Sequence, residues 1–353
     1  MVHIMYAAIC LMVAFATPVV PQGLDFTLYI CTSPGINCLP EQTILIADYS
    51  NVCEDQITCD ETLSQENYEK QLGITITNSD SMTFSHYQKG GSRVYMASGD
   101  KYRMFYLLNR EITFDVEMST VGCGRNAAID FTGMPADGGQ ADFGYAGALY
   151  GTGFCDGQDD PPNCVEMDII ESNSLAIMYT AHPCNATSGK CSAYGCGLNP
   201  YPLGHKDFYG RGSNYTVDTT KPFTIITRFV TTDGTDTGDL KEVQQLYVQN
   251  GQMISTPQVE GGFSSLSDEF CDYHYKPTLP PGYEDYFHGI TDGLTPDMKK
   301  GMVLIFSLWG DVDDSFMWWL DQEPYGPCPI EPNSPNSTVT YSNVRYGPIG
   351  STA

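Results

Sequence analysis

Short β-rich runs follow one another along the chain, and this pattern limits its fold more than any other feature. Each run alternates apolar and polar residues or is rich in Val, Ile, Phe and Thr, as strands are. The clearest runs are 112–118, 223–230, 246–254, 302–308 and 338–346. Asn250-Gly251 interrupts the third of them and predicts a hairpin with a type I′ turn. We therefore expect an all-β chain with two packed antiparallel sheets, a β-sandwich, and a few short helices around 294–300.

The composition is that of a folded chain rich in turns. Hydrophobic residues make up 41% of the 353 residues, and there are 23 Tyr, far more than a disordered acidic chain carries. The 35 Gly and 22 Pro favour strands joined by tight turns and long loops over a helical bundle. No Ser/Thr/Pro-rich linker, charge run or internal repeat divides the sequence, so we expect one large domain.

The N-terminus is typical of a secretory signal peptide. Ile4–Ala16 is an apolar run too short to span a bilayer, and it ends in Ala14-Phe15-Ala16, a cleavage site of the A-x-A type. No later stretch of the sequence is apolar for long enough to form a membrane helix. We expect residues 1–16 to be removed and residues 17–353 to be secreted as a soluble product that does not bind membranes.

The cysteines and the glycosylation sequons agree with secretion. Of the 13 cysteines, Cys10 lies in the apolar run and the other 12 follow it. An even number of cysteines in a secreted chain predicts a disulfide framework. The connectivity cannot be read from the spacing alone. Sequons at Asn185, Asn214 and Asn336 suit an exposed surface that can carry glycans.

Charge and missing motifs exclude several classes of protein. The 43 Asp and Glu outnumber the 17 Lys and Arg and give a formal net charge of −26, whereas nucleic-acid phosphates are held by Lys and Arg. We therefore expect no nucleic-acid partner. The sequence has no G-x-S-x-G, P-loop, G-x-G-x-x-G or H-E-x-x-H motif and no paired-cysteine zinc spacing, which disfavours serine hydrolases, nucleotide enzymes and zinc proteases.

One acidic cluster, Glu166, Asp168 and Glu171, lies in a run that otherwise reads as a strand. On a regular strand residues two apart share a face, so Glu171 would point away from Glu166 and Asp168. A β-bulge between Asp168 and Glu171 would return all three carboxylates to one face. Met167 and the two isoleucines before Glu171 would then bury the opposite face of the strand.

Three carboxyl groups on one concave face repel one another, so at least one should keep its proton well above the usual pKa of about 4.3. A protonated carboxyl can act as a general acid, and an ionised one about 5–5.5 Å away can act as the nucleophile of a retaining glycosidase. The residues alone leave two other interpretations open, a solvated acidic strand edge and a Ca²⁺ site.

The cluster and several other segments resemble glycoside hydrolase family 7, the secreted cellulases. The run 166–174, followed by Thr180-Ala-His-Pro-Cys184, is similar to the catalytic segment of that family. The resemblance is colinear over roughly residues 90–352 and includes the segments 198–204, 207–210, 217–220, 301–304, 307–309, 319–321 and 342–352. It implies a jelly-roll, concanavalin-like sandwich whose long loops form an open groove for β-1,4-glucan. It also implies a single catalytic domain over 17–353 without a carbohydrate-binding module.

The resemblance assigns a role to each carboxylate. Glu166 would be the nucleophile that forms a glycosyl-enzyme, and Glu171 would be the acid/base. Asp168 would lie between them, tune the nucleophile by hydrogen bonding and help to keep Glu171 protonated by charge repulsion. This mechanism needs no metal and no cofactor.

The resemblance also implies which residues line the groove. Trp309 and Trp319 would stack on the flat apolar faces of glucosyl rings. Trp318, next to Trp319 on what should be one strand, would face the core instead. The other implied groove residues are His182, Asn126, Asp156 and Gln158.

The disulfide pattern of the family, carried over to this sequence, uses every cysteine after Cys10 once. The implied pairs are Cys31–Cys38, Cys53–Cys59, Cys123–Cys328, Cys155–Cys164, Cys184–Cys191 and Cys196–Cys271. Asp159 and Asn163 stand where the family usually has one further bonded pair. The loss of a whole pair is what a folded secreted homologue should show.

Departures from the family pattern favour an endo-acting enzyme. Ile170 replaces the Trp that cellobiohydrolases carry, and the loop between Cys155 and Cys164 is short. Pro202 and Tyr325 stand where processive members place arginines that grip the product. Shorter loops predict an open groove, and we expect a monomeric endoglucanase. The alternatives are a cellobiohydrolase, a retaining glucanase acting on mixed-linkage or β-1,3 glucan, and a non-catalytic glucan-binding protein.

Overall fold

The computed structural model of the protein describes ten segments of the chain. They are residues 23–32, 37–48, 65–85, 91–158, 163–185, 188–275, 277, 289–310, 317–329 and 336–353. The predicted signal peptide, residues 1–16, and the implied Cys53–Cys59 pair lie outside the described residues.

Strands dominate the described segments, as the sequence predicts. They are β1 Leu24–Cys31, β2 Cys38–Ala47, β3 Ile74–Thr77, β4 Ser81–Ser85, β5 Ser92–Ser98, β6 Lys101–Tyr102, β7 Met104–Phe105, β8 Arg110–Glu117, β9 Asn126–Thr132, β10 Glu166–Ser172, β11 Ile177–His182, β12 Cys196–Leu198, β13 Tyr209–Gly210, β14 Val217–Asp218, β15 Phe223–Thr231, β16 Leu240–Gln249, β17 Gln252–Ser255, β18 Ser265–Ser267, β19 Met302–Trp309 and β20 Thr338–Pro348.

The helices are few and short, and a 3₁₀ turn spans Ala148–Tyr150. They are α1 Gln65–Leu72, α2 Gln140–Phe143, α3 Asp268–His274, α4 Ile290–Lys300 and α5 Trp318–Asp321. Helix α4 confirms the helix expected around 294–300. None of the helices in the described segments combines the length and the apolar character needed to cross a bilayer.

The strands form two layers. In the first layer β11, β10, β9, β19, β5 and β2 pair in that order, all antiparallel. In the second layer β4, β20, β8, β15 and β16 do the same. Strand β1 pairs antiparallel with β2 and parallel with β20, so it joins the layers at one edge. The predicted antiparallel β-sandwich is confirmed.

Aromatic rings from the two layers meet in the core. The Phe131 ring of β9 lies 6.0 Å from the Phe229 ring of β15, edge to face. The Phe306 ring of β19 lies 5.7 Å from the Tyr341 ring of β20. All four side chains are fully buried. Because side chains alternate along a strand, the residues next to Phe131 and Phe306 point to the outer face of the first layer, which carries the acidic cluster.

Two local predictions from the sequence have opposite outcomes. Asn250 and Gly251 join β16 to β17 with φ of 53° and 72°, so the hairpin with two left-handed turn residues is confirmed. The strand expected at Trp318-Trp319 is wrong, because these residues begin α5. Trp318 is 54% exposed and packs edge-on against Tyr325, so its predicted place in the core is also wrong. A helical turn does not send adjacent side chains to opposite faces as a strand does.

Five of the six implied disulfides lie within the described residues and are formed. They are Cys31–Cys38, Cys123–Cys328, Cys155–Cys164, Cys184–Cys191 and Cys196–Cys271. Cys123–Cys328 ties the loop before β9 to the segment after α5, and Cys196–Cys271 ties β12 to α3. Both crosslinks join elements that are far apart in sequence, by 205 and 75 residues, respectively.

Removal of Cys196–Cys271 should destabilise the protein more than removal of Cys31–Cys38. The first pair is 75 residues apart in sequence and the second only 7. Restriction of the unfolded chain grows with the closed loop, so the double Cys→Ser variants should lose about 4 and about 2 kcal/mol of unfolding free energy, respectively. Urea denaturation measures both losses, and equal losses would contradict the prediction.

Candidate active site

The acidic cluster lies on the outer face of the first layer, in register with β9. Strand β10 pairs with β9 through Glu166, Asp168 and Glu171. Their partners on β9 are Thr132, Asp130 and Ala128, in that order. These three partners are two residues apart, so they share one face of β9, and the three carboxylates opposite them share the same face.

A β-bulge at Ile169 produces this alignment. The pairing with β9 runs from Asp168 directly to Ile170, and the pairing with β11 shifts between Asp168 and Glu171. Ile169 is the extra residue, and both Ile169 and Ile170 are fully buried on the core side. The bulge predicted from the E-x-D-x-x-E spacing is therefore confirmed.

A glutamine from the second layer supports the bulge. Gln245 of β16 is buried, and its Nε2 donates a 2.6 Å hydrogen bond to the carbonyl oxygen of Ile169. Tyr247 donates to Gln245 Oε1 at 2.6 Å and fixes the amide. A bulged residue leaves the regular ladder, so a buried carbonyl there needs a donor from elsewhere. Sequence reasoning did not single out Gln245.

Glu171 is held by two neutral donors. Asn126 Nδ2 donates to Glu171 Oε1 at 3.2 Å, and Thr180 Oγ1 donates to Glu171 Oε2 at 3.0 Å. Burial, assisted by the charge of Glu166, raises the pKa of Glu171 to about 7, although His182 and the two hydrogen bonds lower it. A carboxylic acid with this pKa is protonated at mildly acidic pH and can donate a proton.

Glu166 lies under the loop that follows Cys155. The backbone N–H of Gly157 donates to Glu166 Oε2 at 2.9 Å. A Cβ on Gly157 would lie 2.3 Å from His182 Cβ, so only glycine lets this loop approach so closely. Burial raises the pKa of Glu166, while His182, Gly157 and Arg93 lower it. Three neighbours therefore offset the effect of burial at this carboxylate.

Asp168 lies between the two glutamates and contacts His182. His182 Nε2 is 3.2 Å from Asp168 Oδ2, and His182 Nδ1 is 2.7 Å from the carbonyl oxygen of Ser192. A carbonyl only accepts, so Nδ1 carries a hydrogen. Burial and the charges of Glu166 and Glu171 raise the pKa of Asp168 well above its usual range. One potential ligand atom from each of Glu166, Asp168 and His182 lies close enough to the others to hold a cation. Hydrogen bonds with shared protons can also link these atoms.

Asp130 is a fourth carboxyl in this cluster, and sequence reasoning missed it. It lies opposite Asp168 on β9, is 8% exposed, and makes a side-chain hydrogen bond with Asp168. Burial, reinforced by the charges of the three β10 carboxylates, raises the pKa of Asp130 well above its usual range. The available signal was a single acidic residue within the otherwise apolar run 127–131.

Arg93 and Asp48 form a polar network on the same outer face, which sequence reasoning also missed. Asp48 accepts hydrogen bonds from Tyr95 and, at 3.2 Å, from Arg93. The Arg93 guanidinium lies 3.6 Å above the Phe154 ring. This half-buried cation is close enough to Glu166 to lower its pKa.

The predicted aromatic and loop residues lie around this cluster. Trp309 lies opposite Asn126, and its ring is 6.5 Å from the Trp319 ring with a 31° tilt, so the two half-buried indoles form one surface. Asp156 is half-buried, and its charge raises the pKa of Glu166. Gln158 is exposed and donates its backbone N–H to Asp156. Of the predicted groove residues, Gln158 is therefore the one most open to solvent.

A buried aspartate joins the helix of Trp319 to the end of β10. Asp321 Oδ2 accepts from Asn173 Nδ2 at 2.7 Å and from the Gly124 N–H at 2.8 Å. Burial raises the pKa of Asp321 to about 6. Asn173 directly follows β10, so this contact ties the position of Trp319 to that of Glu171. Sequence reasoning did not assign Asp321 this role.

Comparison with known proteins decides the family. The model of glycosyl hydrolase family 7 matches residues 33–162 and 159–353. The chain belongs to glycosyl hydrolase family 7. It is therefore a glycoside hydrolase, and the resemblance stated from its motifs is confirmed.

Individual family 7 proteins cover nearly the whole chain. Endo-beta-1,4-glucanase celB of Aspergillus oryzae is 37% identical over 396 residues, with 92% of each chain covered. The crystal structure of a family 7 cellobiohydrolase from Daphnia pulex is 29% identical, with a TM-score of 0.81 over 96% of this chain and 99% of that one. Endoglucanase I complexed with cellobiose is 30% identical, with a TM-score of 0.81 over 94% and 98%.

Substitution of Gln245 by Leu should loosen the bulge. The variant leaves the buried Ile169 carbonyl without its side-chain donor, so the free energy of unfolding should fall by roughly 1–3 kcal/mol. Turnover should fall as well, because Glu171 follows the bulge directly. Gln244→Leu is the matched control, since Gln244 is half-buried on the opposite face of β16 and its side chain donates to Glu242 near the surface. Equal effects of the two substitutions on turnover would contradict this role.

Proposed function

We propose that the protein is a secreted retaining glycoside hydrolase that cleaves β-1,4-glucan chains internally. The observation that carries the proposal is the bulged strand that places Glu166, Asp168 and Glu171 on one face, with the pKa of Glu171 at about 7. Family 7 membership and the endoglucanase names of its relatives support a β-glucan substrate. We further propose that residues 17–353 form the catalytic domain and act as a monomer.

In the first step Glu166 attacks the anomeric carbon while Glu171 protonates the departing glycosidic oxygen. A bond forms between the anomeric carbon and the Glu166 carboxylate, the bond to the leaving sugar breaks, and the proton of Glu171 moves to that sugar. The Gly157 N–H and the nearby Arg93 favour the ionised Glu166 that this attack needs. Burial beside Glu166 favours the protonated Glu171.

In the second step water releases the sugar. Glu171, now ionised, takes a proton from water, and the hydroxide displaces Glu166 from the anomeric carbon. Two inversions at the same carbon give net retention. The proton lost by Glu171 in the first step is restored, so the residue cycles between acid and base without any bound metal or cofactor taking part.

Substrate binding is proposed to use the aromatic surface beside Glu171. Trp309 and Trp319 offer neighbouring indole faces at the end of the cluster that carries Asn126. Flat apolar sugar faces match such rings. His182 and Asp156 lie at the Glu166 end and are proposed to line the same groove.

Internal cleavage is favoured because this chain lacks the two arginines with which processive members of the family grip the product. Pro202 is exposed, and Tyr325 packs against Trp318, so neither position supplies a charged side chain. Lys206, whose ammonium lies 4.6 Å from the ring of Tyr201, the residue before Pro202, is paired with Glu323 at 3.1 Å. The celB relative is named an endoglucanase, whereas the Daphnia pulex protein is named a cellobiohydrolase, so chain-end attack is the second candidate.

Hydrolysis of carboxymethylcellulose tests the proposal directly. The secreted protein should lower viscosity much faster than it releases reducing ends, because internal cuts shorten chains before many ends accumulate. Glu166→Gln should abolish both signals while it leaves binding of cello-oligosaccharides largely intact, since it removes the nucleophile but keeps the side-chain shape. Release of reducing ends without loss of viscosity would instead indicate chain-end attack.

Parallel assays on lichenan and laminarin separate the remaining alternatives. Preference for either polymer over carboxymethylcellulose would indicate a mixed-linkage or β-1,3 glucanase. Binding of a glucan without hydrolysis of any of the three by folded protein would indicate a glucan-binding protein and contradict the proposal.

Activity should fall as pH rises through about 7. Glu171 must be protonated to donate, and its pKa of about 7 means that the active form is lost above that pH. Glu171→Gln should remove this alkaline limb, and it should spare aryl glycosides with good leaving groups more than polysaccharide. The measurement is kcat/KM between pH 4 and pH 9 on both substrate types, where an unchanged limb in the variant would rule out Glu171 as the acid.

A further inference from the structure

Asp130 has an unusual place for an acidic side chain. It occupies the middle of β9, between Asp168 on β10 and Ile305 on β19, on the face that carries the proposed catalytic carboxylates. Its side chain is almost fully buried and contacts the Asp168 carboxyl. None of the steps proposed above uses it.

Two carboxyl groups in hydrogen-bond contact need one shared proton, and the surroundings decide which of them carries it. Asp168 has a second neighbour, His182, whose Nε2 lies 3.2 Å away. Because Nδ1 already carries a hydrogen, Nε2 donates to Asp168 when the imidazole is doubly protonated. Within the described segments, Oδ1 of Asp130 receives no hydrogen bond from any N–H or O–H group. The carboxyl with the external donor is better able to bear the negative charge, so the proton belongs on Asp130.

We propose that Asp130 is a positioning residue: as a neutral acid it donates a hydrogen bond to Asp168 and keeps that carboxylate ionised and oriented between Glu166 and Glu171. The inference rests on the proposed hydrolase function of the same site. Asp130 acts through Asp168, the carboxyl with which it makes a side-chain hydrogen bond, and neither proposed step brings it to the sugar.

Because of the charges around Asp130, its protonation also affects the ionisation of Glu171. The groups that act on it are Glu166, Asp168 and Glu171 from β10, Arg93 from β5, Tyr341 from β20, and, through Asp168, His182 from β11. Carboxyls outnumber cations in this set, so a second ionised carboxyl is disfavoured and the pair Asp130–Asp168 carries one negative charge. That charge opposes ionisation of Glu171 and so helps to keep the proposed acid protonated.

Loss of the donor should therefore affect both rate and pH dependence. In Asp130→Ala the Asp168 carboxylate loses one donor in a buried site and takes up a proton itself. Turnover should fall roughly ten- to a hundredfold, and the alkaline limb of the pH profile should move to lower pH because Glu171 loses a repelling charge. KM should change little, because Asp130 does not touch the substrate.

Asp130→Asn is the decisive partner variant. Its amide can donate to Asp168 but cannot ionise, so it should recover most of the turnover lost in Asp130→Ala and bring the alkaline limb back toward the wild-type position. Asp233→Asn, on the exposed turn between β15 and β16, is the matched control for the same chemical change. Circular dichroism and urea midpoints establish that each variant is folded.

The experiment measures kcat and KM on carboxymethylcellulose across pH for the wild type and the three variants. Wild-type kcat and pH profile in Asp130→Ala would overturn the inference, as would an Asp130→Asn variant that is folded but as impaired as Asp130→Ala. A rise in KM at constant kcat would also overturn it, since that result indicates a sugar contact. A wild-type protein that hydrolyses no glucan would contradict the proposed function instead.

Discussion

The bulge at Ile169 is the constraint on which the proposed site depends. It moves Glu171 into phase with Glu166 and Asp168. Before and after the bulge, β10 still pairs with β9 and β11. Its buried carbonyl is stabilised from the opposite layer by Gln245. The sandwich is therefore more than a support for the proposed site, because its second layer contributes a hydrogen bond that holds β10 in its irregular form.

Burial and mutual repulsion then set the chemistry of the aligned carboxyls. Each of them is shielded from bulk water and lies near another acid, so sharing protons costs less free energy than ionising every carboxyl. The donors are distributed unevenly: Glu166 has a backbone N–H and a nearby guanidinium, whereas Glu171 has two neutral side-chain donors. Different surroundings separate two chemically identical side chains into a proposed nucleophile and a proposed acid.

Local pattern was enough to predict much of this architecture. Alternation and β-rich composition predicted the strands that became β8, β15, β19 and β20, and Asn250-Gly251 predicted its hairpin, because these features depend on residues close in sequence. The E-x-D-x-x-E spacing predicted the bulge for the same reason. Trp318 was placed wrongly because strand alternation was assumed across a segment that closes into a helical turn. The assigned roles of the site residues remain predictions.

The sequence by itself determined the fold class, the family, the three β10 carboxylates and the bulge that aligns them, since all of these are encoded within short segments or in a colinear set of motifs. Only the tertiary structure decided that Asp130, Gln245 and Asp321 belong to the site. Asp130 reaches the site across a strand pair, Gln245 reaches it across the two layers, and Asp321 reaches it from a helix about 150 residues away along the chain. No local pattern encodes such contacts, because which side chains meet depends on how the strands pair and how the layers pack.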